Sequence, residues 1–268
     1  MAELVKEPTK QLRKKQTKAS AKKRVSQPTE LPSNEQVKQQ TKVPTKVLSK
    51  VRSRVPSKVI VKPSAKSLDS FDAYGINILK SNHKIIRTLK SQDDQPEIHG
   101  NKLWGSSFLL MDYFDKHPPK KGSRVLEVGC GWGLTGIYFA KNHKAKVLST
   151  DADAHVFPYL QAQAANNRVK IETQKRFFRQ ITKAQLAEFD ILVGADICFW
   201  DELTDELFGL VKKAIGAGVK KIVIADPERS PFFDLAFRCM ESYCADLESW
   251  RVYKPRRAAG TLLVIENA

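Results

Sequence analysis

The first 70 residues contain no aromatic side chain and the first 74 contain no glycine. A stretch so poor in large apolar groups has almost nothing to bury, so residues 1–66 are expected to be disordered. Cysteine is scarce as well: Cys130, Cys198, Cys239 and Cys244 are the only ones, and no two form a C-x-x-C pair. That argues against a zinc site or a disulfide framework, and it suits a reducing compartment, with the cytoplasm expected. No apolar run approaches the roughly 18 residues a membrane span needs. The opening "MAELVKEPTKQLRKK" lacks the apolar core of a secretory signal, and Glu3 and Glu7 argue against a mitochondrial transit peptide.

What is abundant is positive charge, a net +17 over 268 residues. Residues 1–66 hold 18 Lys and Arg against 4 Asp and Glu, while the remainder holds 28 against 25. The basic character therefore belongs to the leader. From Thr41 a hydroxyl residue, a cation and a valine recur in "TKVPTKVLSKVRSRVPSKV". Pro44 and Pro56 interrupt any helix and valine is a poor helix former, so the reading is a solvated tether. Such a tether either contacts an anionic partner, a nucleic acid or a ribosome, or serves only as a linker.

Residues 67–268 read as one α/β domain. "INILKSNHKIIRTLKSQ" and "SSFLLMDYFDKH" have helical spacing, giving a helical N-terminal addition. Strands are expected at "RVLEV", "KVLST", "VKIET", "DILVGAD" and "KIVIAD". Between them lie helices at "LTGIYFAKNH", at "AHVFPYLQAQAANNR" with a bend at Pro158, and at "DELTDELFGLVKKAIGAG". Such alternation argues for a parallel sheet covered on both faces. After the helix "PFFDLAFRCMESY", "LESWRVYK" and "GTLLVIE" are too close for a crossover and should form an antiparallel hairpin.

"VLEVGCGWGLTG" carries two overlapping fingerprints. From Gly131 it is the G-x-G-x-x-G of dinucleotide sites; from Glu127 it is E-x-G-x-G-x-G, with Gly129, Gly131 and Gly133. Asp151, closing the next strand, suits ribose hydroxyls of either ligand. Glu127 separates them. Its carboxylate would repel a pyrophosphate held at the helix N-terminus, whereas S-adenosylmethionine has no phosphate and carries an ammonium and a sulfonium.

These residues, with the closing hairpin, resemble the seven-stranded, Rossmann-like class I S-adenosylmethionine-dependent methyltransferases over residues 101–268. "DICF", Asp196 to Phe199, is similar to the Asp/Glu-x-x-Tyr/Phe signature of a subgroup containing many protein lysine methyltransferases and a few histidine ones. "KLWGSS" (Trp104, Ser106, Ser107) resembles the subgroup's upstream tryptophan segment. "ADPERSPF" (Asp226, Pro227, Arg229) resembles the D-P-x-R turn of the enzymes that methylate the electron-transfer flavoprotein β subunit. The resemblance implies S-adenosylmethionine as cofactor, held by Trp104, Glu127, Gly129, Gly131, Gly133, Asp151 and Asp196. In "IETQKRFFRQI" the family's adenine-binding acid is missing, so Gln174 or Glu172 is expected to substitute, with Phe177 as an apolar face.

The implied reaction is methylation of a protein side chain, lysine before histidine, without a metal. Asp196 and Phe199 are the catalytic candidates; Trp200, Asp226 and Arg229 are the substrate-binding ones. Positioning of the nucleophile and exclusion of water are what such a transfer needs. His143 and His155 lack partners in the sequence, and Cys130 is a small filler in the glycine turn. A monomer with a protein substrate is expected. Two alternatives stay open: a small-molecule N-methyltransferase, and a ribosome- or RNA-binding protein with an idle methyltransferase fold.

Overall fold

The computed structural model describes residues 68–92, 95–97, 100 and 102–267. The expectations for the leader, residues 1–66, lie outside the described residues. Chain order is β1 (Ser70–Ala73), β2 (Ile76–Leu79), α1 (Lys84–Lys90), α2 (Ser106–Lys116), β3 (Arg124–Val128), α3 (Leu134–His143) and β4 (Lys146–Asp151). Then follow α4 (Phe157–Asn166), β5 (Glu172–Lys175), α5 (Lys183–Leu186), β6 (Ile191–Ala195), α6 (Glu202–Gly216), β7 (Lys221–Asp226), α7 (Ser230–Ser242), β8 (Ala245–Val252) and β9 (Ala258–Glu266).

β3 to β9 form one seven-stranded sheet in the order β5-β4-β3-β6-β7-β9-β8. The first five of these strands are parallel; β9 runs antiparallel to both β7 and β8. The Rossmann-like α/β fold with a closing antiparallel hairpin is thus as expected. Its centre is buried from both sides: Ile191 and Val193 of β6 face the core beneath α2 and α3, and Leu192 faces the one beneath α6 and α7. Burying each such side chain contributes roughly 1.5–3 kcal/mol, and the near-continuous apolar runs of β6 and β7 follow from this double coverage.

Three sequence expectations need correction. The amphipathic helix expected from Ile76 is instead an antiparallel hairpin followed by the short α1. Ala73 pairs with Ile76 across Tyr74 and Gly75, whose φ values are 47° and 73°. Two positive φ values in a two-residue loop make the turn that matches strand twist. The exposed edge of β2 is then closed by side-chain amides of α4: Leu79 N–H donates to Gln163 Oε1 at 2.9 Å, and Gln163 Nε2 donates back to Leu79 O at 2.9 Å. Pro158 does not bend a helix. It stands in the first turn of α4, behind a 3-10 turn at Ala154–Val156, where proline's missing N–H costs nothing. The strand expected at "VKIET" lies further along, at Glu172–Lys175.

No helix among the described residues is long and apolar enough to cross a membrane.

Candidate functional site

The glycine turn between β3 and α3 is shaped by backbone that side chains would obstruct. Gly129 and Gly133 sit at φ 61° and 70°, and a Cβ on Gly133 would run into the Leu160 side chain. Such left-handed conformations strain any residue with a side chain. Gly133 is the N-cap of α3.

Glu127 lies behind this turn rather than on its rim. It is 4% exposed, accepts the Gly136 N–H at 3.1 Å on one oxygen and the Ser149 hydroxyl at 2.6 Å on the other. A Cβ on Gly136 would collide with both Glu127 and Ser149. The two overlapping fingerprints therefore describe one construction: Gly136, the last glycine of G-x-G-x-x-G, is the donor that holds Glu127, the first residue of E-x-G-x-G-x-G. Burial pushes the Glu127 carboxyl up to about 7 against its bonds to Ser149 and Gly136.

That shift has a sign that can be measured. The unfolded chain ionises this group near its ordinary 4.5, while the folded chain keeps the proton to about 7. Folding is then penalised progressively as pH rises through that window. Glu127→Gln keeps the shape and removes the charge, so its stability relative to the native chain should increase between about pH 4.5 and 7. Urea denaturation of both proteins at the two ends of the window checks this; a constant difference would refute it.

Asp151 ends β4 at the carboxyl edge of the sheet. It accepts the Gly131 N–H at 3.0 Å and the Asp153 N–H at 3.0 Å, which leaves lone pairs on both oxygens for a ligand. Its carboxyl is raised by burial, against these backbone bonds.

Past the end of β6, Asp196 adopts φ 57° and its N–H donates to Ala225 O of β7 at 2.9 Å. One of its oxygens accepts the N–H of Ser106, the first residue of α2, at 2.9 Å; the other accepts Arg229 Nη2 at 3.0 Å. Arg229 also pairs with Asp226, and the Arg229 N–H donates to the same carboxylate at 2.8 Å. Asp226 is completely buried, and that burial lifts its carboxyl to about 6 despite the arginine. The guanidinium lies 4.2 Å over the Phe199 ring, and Phe199 meets Trp104 edge-on at 5.3 Å. Two buried carboxylates, one arginine and a ring pair are thus a single unit.

A cavity opens between the two constructions. Its lining includes Gly129, Gly131, Gly133 and Asp151 on one side and Trp104, Asp196, Phe199 and Trp200 on the other, with Glu127 at its back. These nine are residues the sequence singled out. Asp226 and Arg229 do not line it; they stand behind Phe199 and Asp196. Gln174 does not line it either. It is held within β5 opposite Thr150, and Glu172 opposite Leu148, so neither meets the expectation for an adenine contact.

Sequence reasoning passed over Lys102, Trp132, Arg176 and Phe178, which all line the cavity. Trp132 stacks on Tyr159 at 5.3 Å and donates to Gly100 O at 2.9 Å; a large aromatic inside a glycine turn was the available signal. Arg176 Nε is buried without a hydrogen-bond partner among the described residues. A lone arginine just past a strand end carries no pattern that marks it in the sequence.

The histidines do have partners: His155 pairs with Asp153 at 2.8 Å, and His143 contacts the Tyr138 hydroxyl at 3.0 Å. Neither lines the cavity. Cys130 does, but burial holds its thiol well above the ordinary value, which leaves it unreactive.

Acids outnumber bases on the wall even without the buried Glu127: Asp151, Asp196 and Glu206 against Lys102 and Arg176. With glycine backbone and aromatic rings beside them, these residues fit a ligand that is cationic and partly aromatic. They fit a pyrophosphate poorly.

Comparison with known proteins agrees with the geometry. The chain is 28% identical over 123 residues to a calmodulin-lysine N-methyltransferase of Arabidopsis thaliana, covering 42% of this chain and 40% of that protein. It is 27% identical over 128 residues to a histidine protein methyltransferase 1 homolog of Dictyostelium discoideum, covering 45% and 41%. With the electron transfer flavoprotein beta subunit lysine methyltransferase of Xenopus laevis it shares 25% identity over 146 residues, covering 52% and 58%. The chain thus spans between two fifths and three fifths of these relatives. The model of the lysine methyltransferase family matches residues 83–237, a stretch that holds the glycine turn, Asp151, Asp196 and Arg229, and the chain belongs to that family.

Proposed function

We propose that this protein transfers a methyl group from S-adenosylmethionine to a nitrogen of a protein side chain, lysine before histidine. The observation that carries this is the cavity itself, an acid-bearing glycine turn facing an aromatic wall of Trp104, Phe199 and Trp200. When bound, S-adenosylmethionine supplies a methyl carbon already activated on a sulfonium.

Asp151 accepts from the ribose hydroxyls, and the turn from Gly129 to Gly133 lets backbone approach the donor closely. Phe177 and Phe178, not Gln174, offer the apolar surface for the adenine. Trp104, Phe199 and Trp200 enclose the aliphatic stem of an acceptor lysine. Asp196 has one oxygen on Arg229 and the other on Ser106, with lone pairs left for one donor from the cavity. It orients the acceptor amine, whose proton must leave before the nitrogen lone pair can attack. A dry, apolar wall promotes that loss by disfavouring the ammonium. Arg229 and Asp226 hold Asp196 and Phe199 in place from behind. In the same reading the basic residues 1–66 recruit anionic carriers of the substrate in the cytoplasm, and residues 67–268 are the catalytic domain.

The test is transfer of label. Purified protein incubated with methyl-labelled S-adenosylmethionine and a cell lysate should label a discrete protein band that yields methyllysine on hydrolysis. Asp151→Ala should cut the rate at least about tenfold when the donor is below saturation, since it removes a hydrogen-bonded carboxylate from the site. Methylhistidine in that band would move the acceptor to histidine. Label confined to small molecules would favour the small-molecule enzyme, and donor binding without any label would favour the idle fold.

A further inference from the structure

The β8–β9 hairpin ends in "YKPRRA", residues 253–258, a run the catalytic reading does not use. Its position follows from the strand register. Asp226, at the ligand edge of β7, pairs with Thr261, whereas β9 begins at Ala258. The hairpin therefore continues about three residues, roughly 10 Å, beyond the carboxyl end of β7. Ala258 reaches the start of α2: a Cβ placed on Gly105 would lie 3.8 Å from the Ala258 Cβ. Gly105 stands between Trp104, which lines the cavity, and Ser106, whose N–H holds Asp196. The end of β9 that carries the tip thus lies beside the residue that follows Trp104.

Its chemistry is cationic and solvent-facing. Lys254, Arg256 and Arg257 are all exposed, and none forms an ion pair with a described residue. Tyr253 beside them is 64% exposed, with the Arg257 guanidinium 5.9 Å from its ring centre. Residues 67–268 carry only a small excess of positive charge, 28 Lys and Arg against 25 Asp and Glu. Three cations without an ion pair among the described residues thus stand together on one loop. A nucleic acid needs a longer track of phosphate contacts; a short acidic peptide segment matches a tip of this size.

We propose that the hairpin tip docks an acidic segment of the protein substrate next to its acceptor side chain, with Lys254, Arg256 and Arg257 as the recognition groups and Tyr253 as an apolar platform. This deepens the methyltransferase reading and rests on it, yet it can be tested by binding alone. Contacts of this exposed kind act through charge, so salt should weaken them.

The experiment uses the full-length chain and the variant K254E, R256E, R257E, with fluorescent peptides carrying one lysine flanked by glutamates or, as control, by glutamines. Anisotropy should show the glutamate peptide binding the native chain more tightly, with the triple substitution weakening it about tenfold and high salt doing the same. The glutamine peptide and S-adenosylmethionine should bind both proteins alike. Because both proteins carry the same basic leader, the difference isolates the hairpin. Equal binding of the glutamate peptide to both proteins would overturn the proposal, as would a variant that binds a single-stranded oligonucleotide more weakly but the peptide equally well. Donor binding measured alongside separates failure of this docking surface from failure of the methyltransferase reading.

Discussion

Arg229→Ala should lose about 3–5 kcal/mol of stability at pH 8, because removing one partner of a buried ionic group strands the others. Arg229 is the shared counter-ion of two carboxylates whose side chains are 3% and 0% exposed, Asp196 and Asp226. Its own side chain is 23% exposed, so some water follows the truncation and the loss should fall toward the lower end of that range. The pH dependence identifies the cause. Asp226 already holds its proton to about 6 with the arginine present, and without that charge it should hold it higher still. The unfolded chain ionises the same group near 3.8. The variant's folded state therefore gains protons, and stability relative to native, as pH falls from 8 to 5. Guanidinium denaturation at both values checks this. A loss equal at the two pH values would mean that packing on Phe199, 4.2 Å away, outweighs charge. Adding Asp226→Asn to the variant should recover part of the loss at pH 8.

Asp196→Asn should lower kcat on the protein substrate by about 10²–10³-fold while leaving the affinity for S-adenosylmethionine within a few-fold. A group that aligns a nucleophile or handles its proton contributes on this scale, and the donor is held chiefly from the opposite wall. The amide is nearly the same size but cannot serve both present donors. Whichever way it is placed, its NH2 faces either Arg229 or the Ser106 N–H, where the carboxylate now accepts at 3.0 and 2.9 Å. Some destabilisation, about 1–3 kcal/mol, accompanies the kinetic effect for that reason. Circular dichroism with steady-state kinetics on the labelled substrate separates the two. If kcat falls less than about tenfold in a folded variant, Asp196 is scaffolding for α2 rather than the orienting group.

Much of the fold was legible because its signals are local. The parallel core showed as short apolar runs alternating with helical spacing, since strands covered on both faces need no polar alternation. The hairpin β8–β9 showed because its link is too short for a crossover. What escaped at Ile76–Leu79 is instructive. Four residues of strand, "INIL", and the short α1 that follows carry too few turns or alternations to separate the two periods. The deciding signal is Tyr74-Gly75 in a two-residue turn.

The site divides in the same way. Glu127, the glycines, Asp151, Asp196 and Phe199 were readable because strand ends and glycine turns put them on one edge of a doubly wound sheet. The role of Glu127 was not readable. As a bare carboxylate it argues for a charged rim, but the tertiary structure buries it under Gly136 and Ser149 and raises its proton affinity. Residues far apart in sequence also had to meet before their chemistry was visible. Ser106, Asp196, Asp226 and Arg229 become one hydrogen-bonded unit only when α2, β6 and β7 pack together.

The sequence by itself thus determined the α/β sheet, its ligand edge and the residue types that stand there, because each is set by contacts within one strand, turn and helix. Only the tertiary structure decided which of those side chains face the cavity, which stand behind it as ion-paired support, and where the cationic hairpin tip comes to rest. Those outcomes depend on burial, charge pairing and the register of β9 against β7, and they arise between segments that the chain holds far apart.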